Sequence, residues 1–402
     1  MRTVKRKEKV TGTRRKEAGM KNAAWVMAGV IAVSGVGGAA MAQSSWADKV
    51  TVKGDIRYRY ETIDDDSKVD ADGDKFTRQR DRIRARLGVE AKCSDQLKVG
   101  AEISTGQKDP VSGNQTLGDG FAKKDFNLSL AYVDYSFLSS ESKHGLSAVG
   151  GKMKNPFITM NDDLLWDSDL AHEGLAVKGK LGMGKATLLG NGGYFWIQER
   201  SSDDETMLVA GQAALKFEFI PEIALTIGGG YYEFREFQGV DVIDWEGKGN
   251  AYGNSTVAGS SATAKAWAAE FLPTVYFAQL DLWVAGRPLS VFAQELDNAG
   301  DSAEENAGHM YGLSYGKAKN PKTWEIGYSH AELEKDATVG AFTDSDRWGG
   351  GTDGKGDKVY AKYQIMKNLQ AGVTYLFGDR KISDPEKTTD YERVQLDLVA
   401  NF

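Results

Sequence analysis

The sequence predicts an all-β fold, a transmembrane antiparallel β-barrel of about 16 strands with short periplasmic turns and long outer loops, on three observations. After Trp46 the chain resolves into runs of roughly ten residues in which apolar and polar side chains alternate, the period of a half-buried strand. The connections between these runs are short and long by turns. The composition, with 47 Gly, 16 Tyr and 16 Phe against seven Pro, suits strands better than helices.

The N-terminal segment stands apart. Basic residues from Arg2 to Lys21 precede an uncharged run, Ala23 to Ala42, that ends in Ala40-Met41-Ala42. This is the pattern of a cleaved secretory signal peptide over residues 1–42. A membrane anchor is the rival reading, because the run approaches spanning length; its Gly, Ala and Ser content and the small-residue ending favour cleavage. Met20-Lys21-Asn22 would itself open an ordinary signal, so Met1 and Met20 both stand as starts. Cleavage leaves one barrel domain, residues 43–402, with 41 Lys+Arg against 55 Asp+Glu and a net charge of −14. So acidic a chain argues against nucleic acid as a partner. The single cysteine, Cys93, excludes an internal disulfide and reads as a buried or bystander thiol.

The barrel runs follow in order. Val50 to Thr62 sets Val52, Gly54, Ile56, Tyr58 and Tyr60 against Thr51, Lys53, Asp55, Arg57, Arg59 and Glu61. Arg80 to Lys92 sets Ile83, Ala85, Leu87 and Val89 against Arg82, Arg84, Arg86 and Glu90; Leu97 to Ser104 repeats the logic. Further runs are Asp125 to Leu138, Leu146 to Lys154, Glu173 to Leu181, Lys185 to Gln198, Thr206 to Phe219 and Ile223 to Arg235. Then come Leu272 to Val284, Pro288 to Leu296, His309 to Lys317, Lys322 to Glu334, Lys358 to Met366, Leu369 to Phe377 and Asp390 to Phe402. The alternation is least clean in the ninth to eleventh runs. Connections after even runs are mostly tight, as in Ala285-Gly286-Arg287 and Lys367-Asn368. Those after odd runs include Ile63 to Gln79, Gly106 to Lys124, Asn155 to His172, Glu236 to Phe271 and Lys335 to Asp357. A soluble sandwich has no reason to sort its loops this way, whereas an outer-membrane barrel does. Closure also leaves no unpaired backbone in lipid.

In a barrel the polar parity faces the lumen, which gives a list of inward groups. Arg78, Arg80, Arg82, Arg84 and Arg86 share one parity, and Arg57 and Arg59 face the same way on the neighbouring strand, a positive stripe down one wall. Lipid exposure of the lower arginines would cost about 2–4 kcal/mol each at mid-bilayer. Lys152 and Lys154, opposite in parity to Val149 and Met153, are expected to face inward as well. Pro156 stops the ladder, and the loop that follows carries Asp162, Asp163, Asp167, Asp169 and, at its end, Glu173. Folded inward, these acids would face the basic wall across a constriction, and opposed charges there order water and favour small polar solutes.

Other groups read more plainly. Asp70-Ala71-Asp72-Gly73-Asp74 lacks the glycine position and closing Glu of a calcium loop and reads as a solvated acidic loop. The four histidines, His144, His172, His309 and His330, are scattered, so no metal site and no cofactor is expected. Tyr58, Tyr60, Tyr132, Tyr194, Trp196, Tyr231, Trp283, Trp324, Tyr328, Tyr375 and Phe377 fall near strand ends, as interfacial girdles would.

The last run, with Val394, Leu396, Leu398, Ala400 and terminal Phe402, resembles the C-terminal recognition strand of bacterial outer-membrane barrels. That resemblance implies insertion by the barrel-assembly machinery. The signal peptide, the Arg-alternating opening strands, Gly151-Lys152-Met153-Lys154-Asn155-Pro156-Phe157, Trp166-Asp167-Ser168-Asp169, Glu173-Gly174-Leu175 and Phe402 together resemble the bacterial "putative porin" family of Gram-negative outer membranes. The resemblance implies a homotrimer of sixteen-stranded barrels with a third-loop constriction, set in outer-membrane lipid and lipopolysaccharide, and passing small hydrophilic solutes. It brings no particular substrate. A solute-specific channel or a surface receptor barrel is the alternative. A barrel enzyme would need a nucleophile beside a His, and no such pair occurs; a soluble exported β-protein would fractionate with the periplasm.

Overall fold

Side chains that alternate along a strand must be sorted to two faces once the sheet closes, and a membrane sets which face is apolar. A computed structural model describes residues 49–138, 143–201, 203–243, 245 and 250–402. The expected signal peptide, and part of the turn after the fourth strand, lie outside the described residues. Sixteen long strands form one antiparallel barrel: β1 Val50–Val69, β2 Lys75–Lys92, β3 Leu97–Thr105, β4 Phe126–Leu138, β5 His144–Lys154, β6 Ala171–Met183, β7 Ala186–Gln198 and β8 Thr206–Ile220. The second half is β9 Ile223–Arg235, β10 Pro273–Val284, β11 Arg287–Asn298, β12 Ala307–Gly316, β13 Trp324–Leu333, β14 Gly354–Met366, β15 Leu369–Arg380 and β16 Thr389–Asn401. Closure comes from β1 pairing with β16, from Asp55 opposite Asn401 to Asp65 opposite Tyr391.

Chain ends meet at this seam. The Gly54 and Phe402 backbones exchange two hydrogen bonds of 3.0 Å. A Cβ on Gly54 would lie 2.6 Å from the Phe402 ring, so only glycine lets the terminal ring lie down on its neighbour.

The two faces are sorted as the alternation requires. Val52, Ile56, Leu175 and Tyr276 are exposed on the outside, while Asp55, Arg59 and Glu61 are buried inside. At one end the turns are tight; the β10–β11 turn is Ala285-Gly286, both at positive φ (49° and 74°), as a two-residue hairpin of matching twist demands. At the other end the connections are long, with one difference from expectation. Ile63 to Gln79 is not a loop, because β1 and β2 go on pairing to Val69 opposite Lys75, leaving only a short acidic turn stapled by Asp70 Oδ1, which accepts from the Asp72 and Asp74 amides. Cys93 is exposed in its turn, a bystander and not a buried thiol.

Two long connections turn into the barrel. The β5–β6 connection buries Phe157, Leu164, Leu165, Trp166 and Leu170. The β13–β14 connection, read from sequence only as a polar outer loop, buries Val339, Ala341, Phe342, Arg347 and Trp348. Both pack on the inward side chains of β6 to β12, among them Phe195, Leu208, Tyr232, Phe234, Phe277, Phe292 and Met310. Each large apolar side chain so covered contributes about 1.5–3 kcal/mol. The β9–β10 connection caps this cluster with Phe237, Trp267 and Phe271.

Candidate functional site

Opposite the apolar cluster the wall is charged, and most of its charges are paired. β1 and β2 run in register with Arg57 opposite Arg84 and Arg59 opposite Arg82, so side chains of one parity stack inward. Arg59 donates to Asp397 on β16 at 2.7 Å and to Asp346 at 3.1 Å. Arg84 reaches Asp55 at 2.9 Å and Asp169 at 3.2 Å; Arg86 reaches Asp55 at 2.6 Å and Asp169 at 3.5 Å. Glu61 gathers Arg80, Arg82 at 3.6 Å and Arg393 at 2.6 Å. Arg57 donates to Asn114 Oδ1 at 2.6 Å. The wall is therefore not a bare positive stripe, as the arginine parity suggested. Asp55 and Glu61 share that parity on β1, and β16 returns Asp397 beside them, a neighbour the chain order hides.

The acids of the β5–β6 connection do four different things. Asp162 accepts from Arg347 at 2.8 Å and Lys358 at 2.6 Å. Burial would raise its carboxyl, but those two cations outweigh burial and hold it well below the ordinary range. Asp163 accepts from the Leu165 and Trp166 amides at 2.8 and 3.1 Å, which fixes the turn that presents Trp166. Burial, aided by the Asp162 charge, pushes it up to about 7 despite those bonds. Asp167 is raised too, by burial and by Asp344 and Asp169; it accepts from the Asp169 and Ser345 amides. Asp169 alone reaches the Arg84–Arg86 wall.

Two residues lie elsewhere than parity predicted. Lys152 and Glu173 are opposed in register and ion-paired on the outward face, which Leu146, Leu175 and Val177 share. Val149 and Met153 are buried inward against the β5–β6 connection, and this reverses the face expected of Lys152. Lys154, at the strand end, lines the interior cavity. His172 is caged by Phe157, Trp166 and Phe195, at ring separations of 5.8, 4.7 and 5.0 Å, and neither ring nitrogen has a described partner.

Two cavities lie against the charged wall. One, of about 650 Å³, is lined by seven basic and eight acidic side chains. All seven bases stand on strands: Arg57, Arg59, Arg84, Arg86, Lys154, Lys358 and Lys362. Six of the eight acids (Asp162, Asp163, Asp167, Asp169, Asp344 and Asp346) stand on the two in-turned connections. The other cavity, of about 350 Å³, lies towards the long-loop end and includes Arg80, Arg82, Arg380 and Arg393. Val111, Ser345 and Asp346 line both cavities and separate them. There the Ser345 hydroxyl donates to the Val111 carbonyl at 2.9 Å and its amide donates to Asp167 at 2.9 Å, tying three loops at one point. Sequence reasoning missed Asp346 and Arg347, although the apolar Val339-Gly340-Ala341-Phe342 beside them was a signal that this loop is not wholly solvated.

Comparison with known proteins is consistent with this architecture. The model of the family described as "Putative porin" matches residues 68–245 and 274–402. The high-pH structure of OprB from Pseudomonas putida is similar in fold, with a TM-score of 0.56 at 13% identity, covering 89% of this chain and 96% of that one. OmpT of Vibrio cholerae in its trimer form (TM-score 0.48, 12% identity, 88% and 100% covered) and a mutant of Rhodopseudomonas blastica porin (0.46, 11%, 88% and 100%) are more distant. No curated protein matches. With its family model matched over most of the length and its sixteen strands closed into a porin-like barrel, the chain belongs to the "Putative porin" family of outer-membrane channels.

Proposed function

We propose that the protein is a water-filled channel for passive diffusion of small hydrophilic solutes and ions, narrowed where the β5–β6 and β13–β14 connections meet the arginine wall. One observation carries the reading: the charged cavity draws its bases from the strands and most of its acids from the in-turned connections. Such a separation sets a field across the passage, which costs an apolar solute its ordered water and aligns a dipolar one. Seven bases against eight acids leave little net charge, so the field sorts by polarity more than by sign. Nothing in this constellation supplies a nucleophile with a base, since His172 is sealed among aromatic rings.

The remaining parts of the reading follow the family. The chain is exported by its N-terminal signal, inserted by the barrel-assembly machinery through the Phe402 strand, and assembled as a homotrimer in lipopolysaccharide-bearing membrane. The outward Phe402 ring over Gly54 supports the role of the terminal residue, because it seats that strand at the seam that closes the barrel. The test is conductance: purified protein added to a planar bilayer gives discrete, ohmic steps. A bilayer that stays silent with folded, heat-modifiable protein rules the channel out.

A further inference from the structure

Two of the chain's four histidines, distant in sequence, come together on the outside of the barrel. On β12 and β13, His309 stands opposite Glu332, and His330 stands opposite Tyr311 two pairs further in. All three polar groups share the outward parity of Tyr311, Leu313 and Ile326, which are exposed. The two imidazole rings lie 5.9 Å apart, and one donor atom each from His309, His330 and Glu332 falls within 4.8 Å of the others. The cluster lies near the long-loop end, since β12 begins at Ala307 and β13 ends at Leu333.

We propose that His309, His330 and Glu332 form a binding site for one transition-metal ion of the zinc class on the outer rim of the barrel. Two imidazoles and a carboxylate are the donor set that suits zinc and its neighbours; calcium and magnesium prefer oxygen alone. A tetrahedral site with bonds of about 2.0–2.1 Å needs donors about 3.4 Å apart, so the side chains have to close in by roughly an ångström. The stronger observation is the support behind the ligands. Asp357 on β14, in register with His330, lies 3.0 Å from His330 Nδ1, and it also accepts a 2.6 Å hydrogen bond from the Tyr328 hydroxyl. A carboxylate on Nδ1 fixes the tautomer that leaves Nε2 free, the arrangement by which proteins orient a metal-binding imidazole. Tyr311 stacks on the same ring at 5.3 Å and 29°. Glu295, opposite His309 on β11, offers a further oxygen, and water can take what remains of the coordination shell.

The site is tested on the whole barrel, prepared without a polyhistidine tag, stripped with EDTA and titrated in detergent with Co²⁺, then displaced by Zn²⁺. The expected result is one equivalent of Co²⁺ with the visible absorption of four-coordinate nitrogen and oxygen ligation, lost on adding Zn²⁺. His330→Gln and the isosteric Glu332→Gln each weaken binding by more than roughly 100-fold, and Asp357→Asn by about 10- to 100-fold. His144→Gln leaves it unchanged. Conductance steps and heat-shifted gel mobility confirm that each variant is folded; the ligands face outward, so the steps stay at the wild-type size. Absence of stoichiometric Co²⁺ uptake by folded wild-type protein overturns the proposal, as does uptake that survives His309→Gln/His330→Gln.

Discussion

From β6 to β12 the inward side chains include Phe195, Leu208, Tyr232, Phe234, Phe277, Phe292 and Met310, whereas on β14, β16, β1 and β2 they include Lys358, Arg393, Asp397, Asp55, Arg57, Arg59 and Arg84. The first half of the wall is covered by two loops. The second half keeps its polar groups facing the charged cavity. A barrel interior built this way is half core and half channel, with the loops anchored on the apolar side so that their acids reach the charged side. Burial decides where the loops sit; ion pairs decide what they present.

This division can be broken most severely at Trp166, which packs against Phe157, His172, Tyr232 and Phe342. Trp166→Ala is expected to cost about 3–5 kcal/mol of loop packing. The loop leaves the lumen in that variant, so single-channel steps grow larger and noisier; steps of wild-type size would mean the loop is not held by the apolar half. A milder loosening comes from pH. The Asp163 carboxyl is pushed up to about 7 in the folded loop from an ordinary 3.8, so its contribution to anchoring is complete below about pH 4 and is lost as pH rises through about 7. Asp167 is raised as well and acts in the same direction. Raising the pH from 5 to 8 is therefore expected to increase closures and current noise. Asp163→Asn, which keeps the Oδ1 acceptor for the Leu165 and Trp166 amides, flattens that dependence; a wild-type channel indifferent to pH over this range contradicts it. Ser345→Ala removes one hydrogen bond at the junction of the three loops, worth about 0.5–1.5 kcal/mol. Its expected signature is a modest rise in gating frequency at unchanged mean conductance, and a changed conductance would assign Ser345 to the narrowest point itself.

The sixteen strands were legible because closure in a membrane forces a period of two on each strand and sorts the loops to one end. The alternation blurred at Ile223 to Arg235, Leu272 to Val284 and Pro288 to Leu296 for a reason that only the folded barrel reveals. Those strands face lipid on one side and the loop cluster on the other, so both faces are apolar, as with outward Tyr276 and inward Phe277. The same ambiguity turned Lys152 to the wrong side. Arg84 and Arg86 could be placed from parity alone, but their partner Asp169 lies on a loop, and Arg347 meets Asp162 only because two loops enter together. The pairing of His309 with His330 was hidden for a related reason: strand register, and not sequence spacing, makes them neighbours.

The most direct test of the division between wall and loops is the reversal potential across a KCl gradient for two variants measured side by side. Arg82→Glu/Arg84→Glu/Arg86→Glu is expected to move the preference towards cations, and Asp169→Asn, which takes an acid from the loop facing those arginines, is expected to move it towards anions. Opposite shifts are the predicted result. Unchanged potentials in both variants would place the charged cavity off the conduction path and contradict the account.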